Sequence, residues 1–588
     1  MKLEEEKDPT FAFVVQGSLD KGVIAQLRRG YLSEDVQCSS LTTIKGRNFL
    51  FLGLISNIEV SRKSVVDETV RHEGIDKSAD EVEREAVLHG LINTGEGRPE
   101  IRIIPIAVAR EIDGRVCVEG ADTIPYYMAE VKVPDESEIK AFYTPQRGEG
   151  FVIGYPKSPI ASQQISSGVL MDLEVLVRGT FGIFGKSGTG KTFLGNYLAS
   201  GIVLWNKKNL FSKKVKLLIF DMHSEYGTQL FSSRGDTYGP GVAKAFPEEF
   251  LVFSPDHQFA KEHSLEPLQI NAGNITIEDL AATAEALGLS EAYLSHLETF
   301  RRIAEDILDK YRREASNRGI TNWFQFITSL DDELGPSLTN PLEERLRSIS
   351  PGAKFAYTSG RSRLRRLKRY EFINWFGTGA DSVDTIISEL LDGKRSVVIS
   401  FGRYGDDRTA YMFIANIVAR RLWRECVDRI MSGRELHYRV VIFIEEAHKF
   451  LGPDVYYMSP FGDIARELRK RGVILCVIDQ TPSQICDDVR GMLWNKFVMC
   501  LENEKDIEAA SIGLPFPHLF KPVIQRLQRQ EVLVFGEAIN VPAVVKVPEY
   551  KERIKEMRAQ YLEIKAKEAE EEKVREKAFE ELTGLPVG

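Results

Sequence analysis

The eight residues from Gly185 to Thr192 read GKSGTGKT and satisfy G-x-x-x-x-G-K-[ST] at every fixed position. An apolar run, RGTFGIF, precedes them and a helix-forming stretch follows, which is the context of a phosphate-binding loop. In such a loop, backbone N–H groups and the helix N-terminus surround a polyphosphate. We therefore predict ATP and Mg²⁺ as cofactors, with Lys191 at the β- and γ-phosphates and the Thr192 hydroxyl on the metal. The predicted nucleotide-binding residues are Gly185, Lys186, Ser187, Gly188, Thr189, Gly190, Lys191 and Thr192.

An acidic pair, Glu445 and Glu446, ends the run RVVIFIEEAHKF. In open α/β sheets, ligands bind at the carboxyl ends of the strands. We assign Glu445 to Mg²⁺ and Glu446, one residue on, to the polarisation of the attacking water as general base. Glutamate adds one methylene of reach where aspartate is usual, so direct contact of Glu445 with Mg²⁺ and contact through water both stay open.

Three other segments supply candidate catalytic residues. Gln480 follows the apolar run VILCVID, where its amide can sense the terminal phosphate, and Asp221 follows VKLLIF, where a carboxylate can join the water-activating network. Arg469, in IARELRKRGV, is the first choice for an arginine offered to the nucleotide of a neighbouring subunit. A solvated basic helix end is the alternative for Arg469.

Most of these candidate residues follow short apolar runs that do not alternate with polar residues. Such runs are typical of central strands in a parallel sheet covered by helices on both faces. They predict an α/β domain over residues 171–550, with a helical insertion at about 275–390. The runs are Phe181–Phe184, Val215–Phe220, Val397–Phe401, Val440–Ile444, Val473–Ile478 and Phe497–Leu501.

The flanking regions have different patterns. Residues 1–170 contain β-rich runs that predict a small barrel and a linker, with an inserted charged helix between Ser61 and Gly97. Residues 551–588 are rich in helix formers with Glu and Lys at i,i+4 spacing and few apolar anchors. A helix of this kind is marginal alone, so we expect it to lie across a neighbouring subunit.

Composition limits the class of protein. The 588 residues include 43% hydrophobic and 28% charged residues, which predicts a folded chain of roughly two to four units. The six cysteines form no CxxC pair, and neither a secretory signal nor a long apolar run occurs, so we predict reduced thiols, no membrane segment and a cytoplasmic location. A net charge of −9 argues against a generic polybasic nucleic-acid binder. We interpret the basic run from Arg361 to Tyr370 as a solvated or partner-facing helix face.

The order of motifs along most of the chain resembles the HerA group of the HerA/FtsK hexameric translocases. The motifs are the early β-rich region, RGTFGIFGKSGTGKT, DMHSEYG, IFIEEAHKF, ARELRKRG, DQTPSQI and the late strand VLVFGEAINVPAVVKV. The chain departs from the family pattern at Met222 and Ser224, and at Leu468 before Arg469. Neither departure removes a chemical group.

The resemblance implies a RecA-like P-loop core behind a HAS-barrel, and a homohexamer that threads DNA through a central pore. It also implies a partner nuclease, typically of the NurA type, for DNA end processing or repair. Carried over by position, Glu445 and Glu446 are the acidic pair, Gln480 the sensor and Arg469 the finger acting across subunits. The alternative is a HerA-like scaffold of an anti-phage defence complex with a nuclease or sirtuin-like effector. Strand preference, polarity, pore loops and a six- or seven-membered ring stay open.

Overall fold

The computed structural model describes residues 9–60, 99–112, 115–145, 148–231, 237–350, 352–377 and 381–583. The charged helix that we predicted between Ser61 and Gly97 lies outside these residues. Two units are present in the described part of the chain, a barrel near the amino terminus and a large α/β unit after it.

Seven antiparallel strands build the first unit. They are β1 (Thr10–Ser18), β2 (Gly22–Leu27), β3 (Leu41–Lys45), β4 (Leu50–Glu59), β5 (Glu100–Ile112), β6 (Arg115–Gly120) and β7 (Glu130–Lys132). The order is β2-β1-β7-β3-β4-β5, and β5 pairs back with β2, so six strands close into a ring with β6 added beside β5. The predicted small barrel is confirmed.

The barrel has its own core, and its outer face joins the rest of the molecule. Phe51 lies in the barrel core, whereas its neighbour Leu52 lies in the core of the α/β unit. Successive residues of a strand point to opposite faces, so one strand serves both cores. Leu54 and Ile104 extend the outer contact.

The remaining strands form one large sheet and two short ladders. They are β8 (Phe151–Pro156), β9 (Val169–Met171), β10 (Phe181–Phe184), β11 (Val215–Asp221), β12 (Gln229–Phe231), β13 (Thr237–Pro240), β14 (Phe250–Ser254), β15 (Glu266–Pro267), β16 (Ile270–Asn271), β17 (Ile373–Asn374), β18 (Ser396–Ser400), β19 (Arg439–Glu445), β20 (Val473–Asp479), β21 (Asn495–Val498), β22 (Glu531–Gly536) and β23 (Ala543–Lys546). The sheet has twelve strands in the order β15-β14-β18-β11-β19-β20-β10-β21-β22-β23-β8-β9.

The sheet is parallel from β15 to β21 and antiparallel from β21 to β9. Every residue of β11 and β20 is buried, because helices cover both faces of the parallel part. The predicted apolar runs are therefore strands of this sheet. The expected division at residue 170 falls inside it, since β8 and β9 already belong to the sheet.

Helices connect and cover the strands. They are α1 (Glu136–Tyr143), α2 (Leu173–Leu176), α3 (Lys191–Lys207), α4 (Val242–Ala245), α5 (His257–His263), α6 (Ile277–Ala282), α7 (Ala284–Leu287), α8 (Glu291–Lys310), α9 (Arg312–Asn317), α10 (Trp323–Thr328), α11 (Asp331–Leu334), α12 (Pro336–Ile349), α13 (Ala353–Leu364), α14 (Ser382–Leu391), α15 (Arg408–Met431), α16 (His448–Leu451), α17 (Pro460–Asp463), α18 (Asp487–Met492), α19 (Glu504–Ser511), α20 (Pro517–Arg526) and α21 (Tyr550–Thr583). The helices α6 to α13 lie between β16 and β17. Among the described helices, none combines the length and apolar character needed to cross a bilayer.

The last helix, α21, packs on its own chain over its first three turns. Its Arg558 donates hydrogen bonds of 2.8 and 3.0 Å to Glu248. The expectation of few apolar anchors is wrong for this part, because four buried side chains recur at helical spacing on one face. They are Tyr550, Ile554, Met557 and Tyr561. The following Leu562 is exposed, and contact of the later turns with a neighbouring subunit stays a prediction.

Candidate functional site

The glycine-rich loop joins β10 to α3 at the carboxyl edge of the sheet. Gly188 and Gly190 have φ values of 77° and 112°, in the left-handed region that favours glycine. A Cβ atom on Gly185 would lie 2.7 Å from the Cβ of Met499, so this glycine permits a close approach of two loops. The turns at these glycines bring the chain into α3 with the helix N-terminus facing the same edge.

A cavity of about 290 Å³ lies beside the loop. Five of the eight predicted loop residues line it, namely Ser187, Gly188, Gly190, Lys191 and Thr192. The other three shape the loop: Gly185 allows the close approach, the Thr189 hydroxyl donates to the Lys186 carbonyl at 2.8 Å, and the Lys186 ammonium pairs with Glu502 at 2.5 Å.

Lys191 lies back across the loop, where its ammonium donates to the Gly185 carbonyl at 2.8 Å and the Lys186 carbonyl at 3.2 Å. Burial lowers the pKa of Lys191, and the nearby carboxylates of Glu446 and Glu445 act in the opposite direction. The loop therefore holds the Lys191 ammonium group at the edge of the cavity.

Glu445 ends β19 and lines the same cavity. Its side chain is buried, and its Oε2 atom has no hydrogen-bond partner among the described residues. Burial, with Asp221 and Glu225 nearby, raises the pKa of Glu445 well above its ordinary value. A buried carboxylate without donors is unfavourable unless a cation or proton joins it. The donor set, Glu445 and the Thr192 hydroxyl beside a phosphate loop, fits Mg²⁺.

Glu446 follows in a left-handed conformation with a φ of 49°, which is uncommon for glutamate and is found most often at functional sites. Its side chain lines the cavity. The Gln480 amide, just past the end of β20, donates to Glu446 Oε1 at 3.0 Å. The structure thus brings the predicted base and the predicted sensor together.

The Asp221 side chain is not among the groups that line the cavity, and its part in the water-activating network stays a prediction. It is fully buried and accepts hydrogen bonds from the N–H groups of Glu225, Tyr226 and Gly227 and from the Ser400 hydroxyl, at 2.7–3.1 Å. Burial raises the pKa of Asp221 in spite of these donors. Its carboxylate is engaged in folding the turn after β11, and that turn brings Glu225 into the cavity.

Six cavity residues were not among the predicted ones, namely Phe193, His223, Glu225, Phe231, Ile478 and Arg529. His223 and Glu225 belong to the DMHSEYG segment that drew attention to Asp221. Burial, followed by the Asp221 carboxylate, raises the pKa of Glu225. Arg529 lies far along the chain from the phosphate loop, in the short connection between α20 and β22. No local sequence motif indicates it.

Arg469 lies outside the cavity. It precedes β20, and the cavity lies past the carboxyl end of that seven-residue strand, so about 20 Å of strand separates the two. Its guanidinium lies 5.3 Å from the centre of the Trp494 ring. Arg469 therefore cannot act on the nucleotide of its own subunit in this conformation, and its action on a neighbour stays a prediction.

The basic run from Arg361 to Tyr370 spans α13 and the turn after it. Four of its six charged groups are paired within the chain, where we had expected a solvated or partner-facing helix face. The pairs are Arg361 with Asp331, Arg365 and Lys368 with Glu333, and Arg369 with Asp407, at 2.6–3.1 Å.

Comparison with known proteins finds matches over the central region. Residues 153–422 match the family model of the helicase HerA central domain. The chain is 33% identical over 139 residues to the DNA double-strand break repair helicase HerA of Pyrococcus furiosus, an alignment covering 22% of this chain and 25% of that protein. It is 23% identical over 311 residues to the protein of the same name from Sulfurisphaera tokodaii, covering 50% and 56%. The chain thus spans a quarter of the first relative and about half of the second.

Among solved structures, the bacterial conjugative coupling protein TrwBdeltaN70 aligns with a TM-score of 0.45 and 15% identity over 71% of this chain and 92% of that one.

Proposed function

We propose that this chain hydrolyses ATP to move DNA, because its residues 153–422 match the family model of the helicase HerA central domain. The observation that supports this most directly is the cavity in which the phosphate loop, the acidic pair and Gln480 meet. These groups come from three neighbouring strands, and together they supply the parts that nucleotide hydrolysis requires.

The residues have distinct tasks in this proposal. Loop N–H groups and Lys191 bind the phosphates, and the Thr192 hydroxyl and Glu445 hold Mg²⁺, which neutralises phosphate charge when bound. Glu446 accepts the proton of the attacking water. The amide of Gln480 fixes the Glu446 carboxylate at 3.0 Å, so that it is oriented before the nucleotide arrives.

Two variants separate binding from chemistry. Lys191→Ala removes the cation at the phosphates and should abolish both ATP binding and turnover. Glu446→Gln keeps the shape of the side chain and should bind ATP normally while turnover falls by about 10²–10⁴-fold. Calorimetry gives the binding constant, and phosphate release with and without linear duplex DNA gives turnover. Equal loss of ATP affinity in both variants would show that Glu446 is not the base, and turnover that DNA leaves unchanged would contradict a DNA motor.

We also propose that the chain forms a ring of identical subunits, six as in the family that it resembles. In this ring, Arg469 of one subunit contacts the nucleotide of the next. Arg469→Ala should leave ATP binding and assembly intact and remove most hydrolysis, since it acts on charge that develops in the transition state. Rings mixed from Arg469→Ala and Lys191→Ala subunits contain some interfaces with both functional halves, so they should recover part of the lost activity. A fully active Arg469→Ala oligomer would contradict this role, and Arg466 or Arg471 would become the next choice.

The far part of α21 is the segment proposed to contact a neighbour. Removal of residues 569–588 leaves the buried anchors from Tyr550 to Tyr561 in place. The shortened chain should stay folded and form a ring that depends more strongly on salt and concentration. Sedimentation that shows an unchanged oligomer would exclude a bracing role.

We further propose DNA end processing or repair with a partner nuclease as the setting of this motor. The curated relatives are named for double-strand break repair, which supports repair over the alternative of a defence complex with another effector. Co-purification with the product of the adjacent gene tests this choice. A nuclease that degrades DNA ends faster with ATP and this chain supports repair, and an NADase partner supports defence.

A further inference from the structure

The nucleotide cavity has an unusual balance of charge for a site that takes a polyanion. Three carboxylates line it, from Glu225, Glu445 and Glu446. Among the described lining residues, the lysine and arginine side chains are those of Lys191 and Arg529. A triphosphate carries several negative charges, and one Mg²⁺ with one lysine compensates them only in part beside three carboxylates. A further cation would stabilise a bound polyphosphate, and Arg529 of the same chain lines the cavity.

The position of Arg529 is fixed by the residue that follows it, Gln530. The Gln530 N–H donates to the Thr189 carbonyl of the phosphate loop at 3.0 Å, and the Gln530 carbonyl accepts from the Val547 N–H at 2.9 Å. Gln530 has a φ of 66°, so the chain turns sharply at the loop. These contacts hold the Arg529 backbone directly beside the phosphate-binding loop.

The same segment is also anchored at a distance from the loop. The Arg526 guanidinium donates to the Ser56 carbonyl at 3.0 Å and to Asn57 Oδ1 at 3.3 Å, both on β4 of the barrel. Glu531, next to Gln530, pairs with Lys157 at 3.0 Å. Arg526, Gln530 and Glu531 thus anchor the segment at separate points, so the position of the Arg529 backbone does not depend on Arg526 alone.

We propose that Arg529 binds the polyphosphate of the nucleotide held by the phosphate loop of its own subunit. This inference rests on the proposed function, because it needs a nucleotide in the cavity. A guanidinium is planar and permanently charged, and its paired N–H donors match phosphate oxygens. Arg529 and Lys191 of one subunit therefore bind the same polyphosphate. Arg529 contacts the nucleotide whether or not a neighbouring subunit is present.

The test compares two arginines of one segment. Arg529→Ala should weaken binding of ATP by about 10- to 100-fold, as expected for loss of a charged hydrogen bond, and Arg529→Lys should restore part of it. Arg526→Ala is the matched control, because it removes a guanidinium that contacts the barrel, and ATP affinity should stay within about twofold of the wild type. The rise in thermal midpoint caused by ATP should be smaller in Arg529→Ala than in the wild type, each measured against its own midpoint without nucleotide.

Each outcome has a defined meaning. Wild-type affinity in Arg529→Ala, with binding lost in Lys191→Ala, overturns the role of Arg529 and leaves the proposed function intact. An equal loss of affinity in Arg529→Ala and Arg526→Ala shows that the segment, and not the Arg529 guanidinium, matters, and also overturns it. A wild-type chain that binds no ATP at all overturns both the role and the proposed function.

Discussion

Three adjacent strands of the central sheet, β11, β19 and β20, each end in a buried carboxylate, and the surroundings of the middle one differ from those of its two neighbours. Asp221 accepts hydrogen bonds from three backbone N–H groups and a hydroxyl. Asp479 accepts from the backbone and ring of His448 and from Thr481, at 2.7–3.2 Å. Glu445, between them, keeps one buried oxygen without a partner in the described structure.

The difference distinguishes two carboxylates that stabilise the loops of the site from one that is left to bind a cation. Asp221 and Asp479 accept hydrogen bonds from the loops that follow their strands. These loops place Glu225 and Gln480 in the cavity. Donors on every oxygen would leave Glu445 no capacity for a metal ion. Its unpaired state makes the empty site less stable and is relieved when a cation binds.

The largest expected effect is that of Asp479→Ala. His448 and Thr481 would lose their acceptor inside the protein, and the raised pKa of His448, which is due first to its hydrogen bond with Asp479, would fall. We expect the free energy of unfolding to drop by about 3–5 kcal/mol. Urea denaturation followed by tryptophan fluorescence measures this, with the exposed Asp454→Ala as control. Equal unfolding curves for Asp479→Ala and Asp454→Ala would show that the Asp479 carboxylate does not stabilise the fold.

Asp221→Asn should have a smaller effect of about 1–3 kcal/mol, since one amide group replaces an acceptor that faces backbone donors. Hydrolysis should fall together with stability, because the turn that carries Glu225 is displaced. Urea denaturation and phosphate release on the same preparation separate the two effects. An unchanged unfolding curve with lost hydrolysis would support the chemical role predicted for Asp221.

Glu445→Gln should behave in the opposite way. Without Mg²⁺ and nucleotide, the amide replaces a buried carboxyl group whose raised pKa lowers stability at neutral pH, so the free energy of unfolding should stay the same or rise by about 1 kcal/mol. Turnover should nevertheless be lost, because a neutral amide holds Mg²⁺ weakly. A loss of stability as large as that of Asp221→Asn would show that the Glu445 carboxylate is satisfied after all.

The smallest effect is a dependence of stability on pH, with opposite signs at Glu445 and Asp479. The raised pKa of Glu445 means that the folded protein keeps a proton that the unfolded chain has released, so its contribution falls as the pH rises above about 4.3. For Asp479, burial opposes the charged form, but hydrogen bonds from His448 and Thr481 lower the pKa, so its contribution is lost as the pH falls below about 3.9. Denaturation of the nucleotide-free protein between pH 4 and 8 should therefore show the advantage of Glu445→Gln growing with pH, and a constant difference would contradict it.

Local sequence determined the strands and the phosphate loop. A strand buried on both faces must be apolar at consecutive positions, so β10, β11 and β20 are visible as short runs within the sequence itself. The loop from Gly185 to Thr192 is likewise local, because its glycines and lysine act within eight residues. Glu446 and Gln480 were predicted from their places just past such strands, and they meet at the same edge because parallel strands end together.

Only the tertiary structure decided which of the polar residues reach the cavity. Asp221 and Glu225 are four residues apart on one turn, and the hydrogen bonds of that turn, which sequence spacing does not encode, bury the first and expose the second to the site. Arg529 reaches the loop because β22 pairs with β21 and β23, and this pairing joins segments distant along the chain. The packing of α21 on its own chain depends on Phe246 and Glu248, far away in sequence. Long-range pairing is set by the global core and leaves no periodic signal in a short window, which is why these contacts could not be predicted from the sequence.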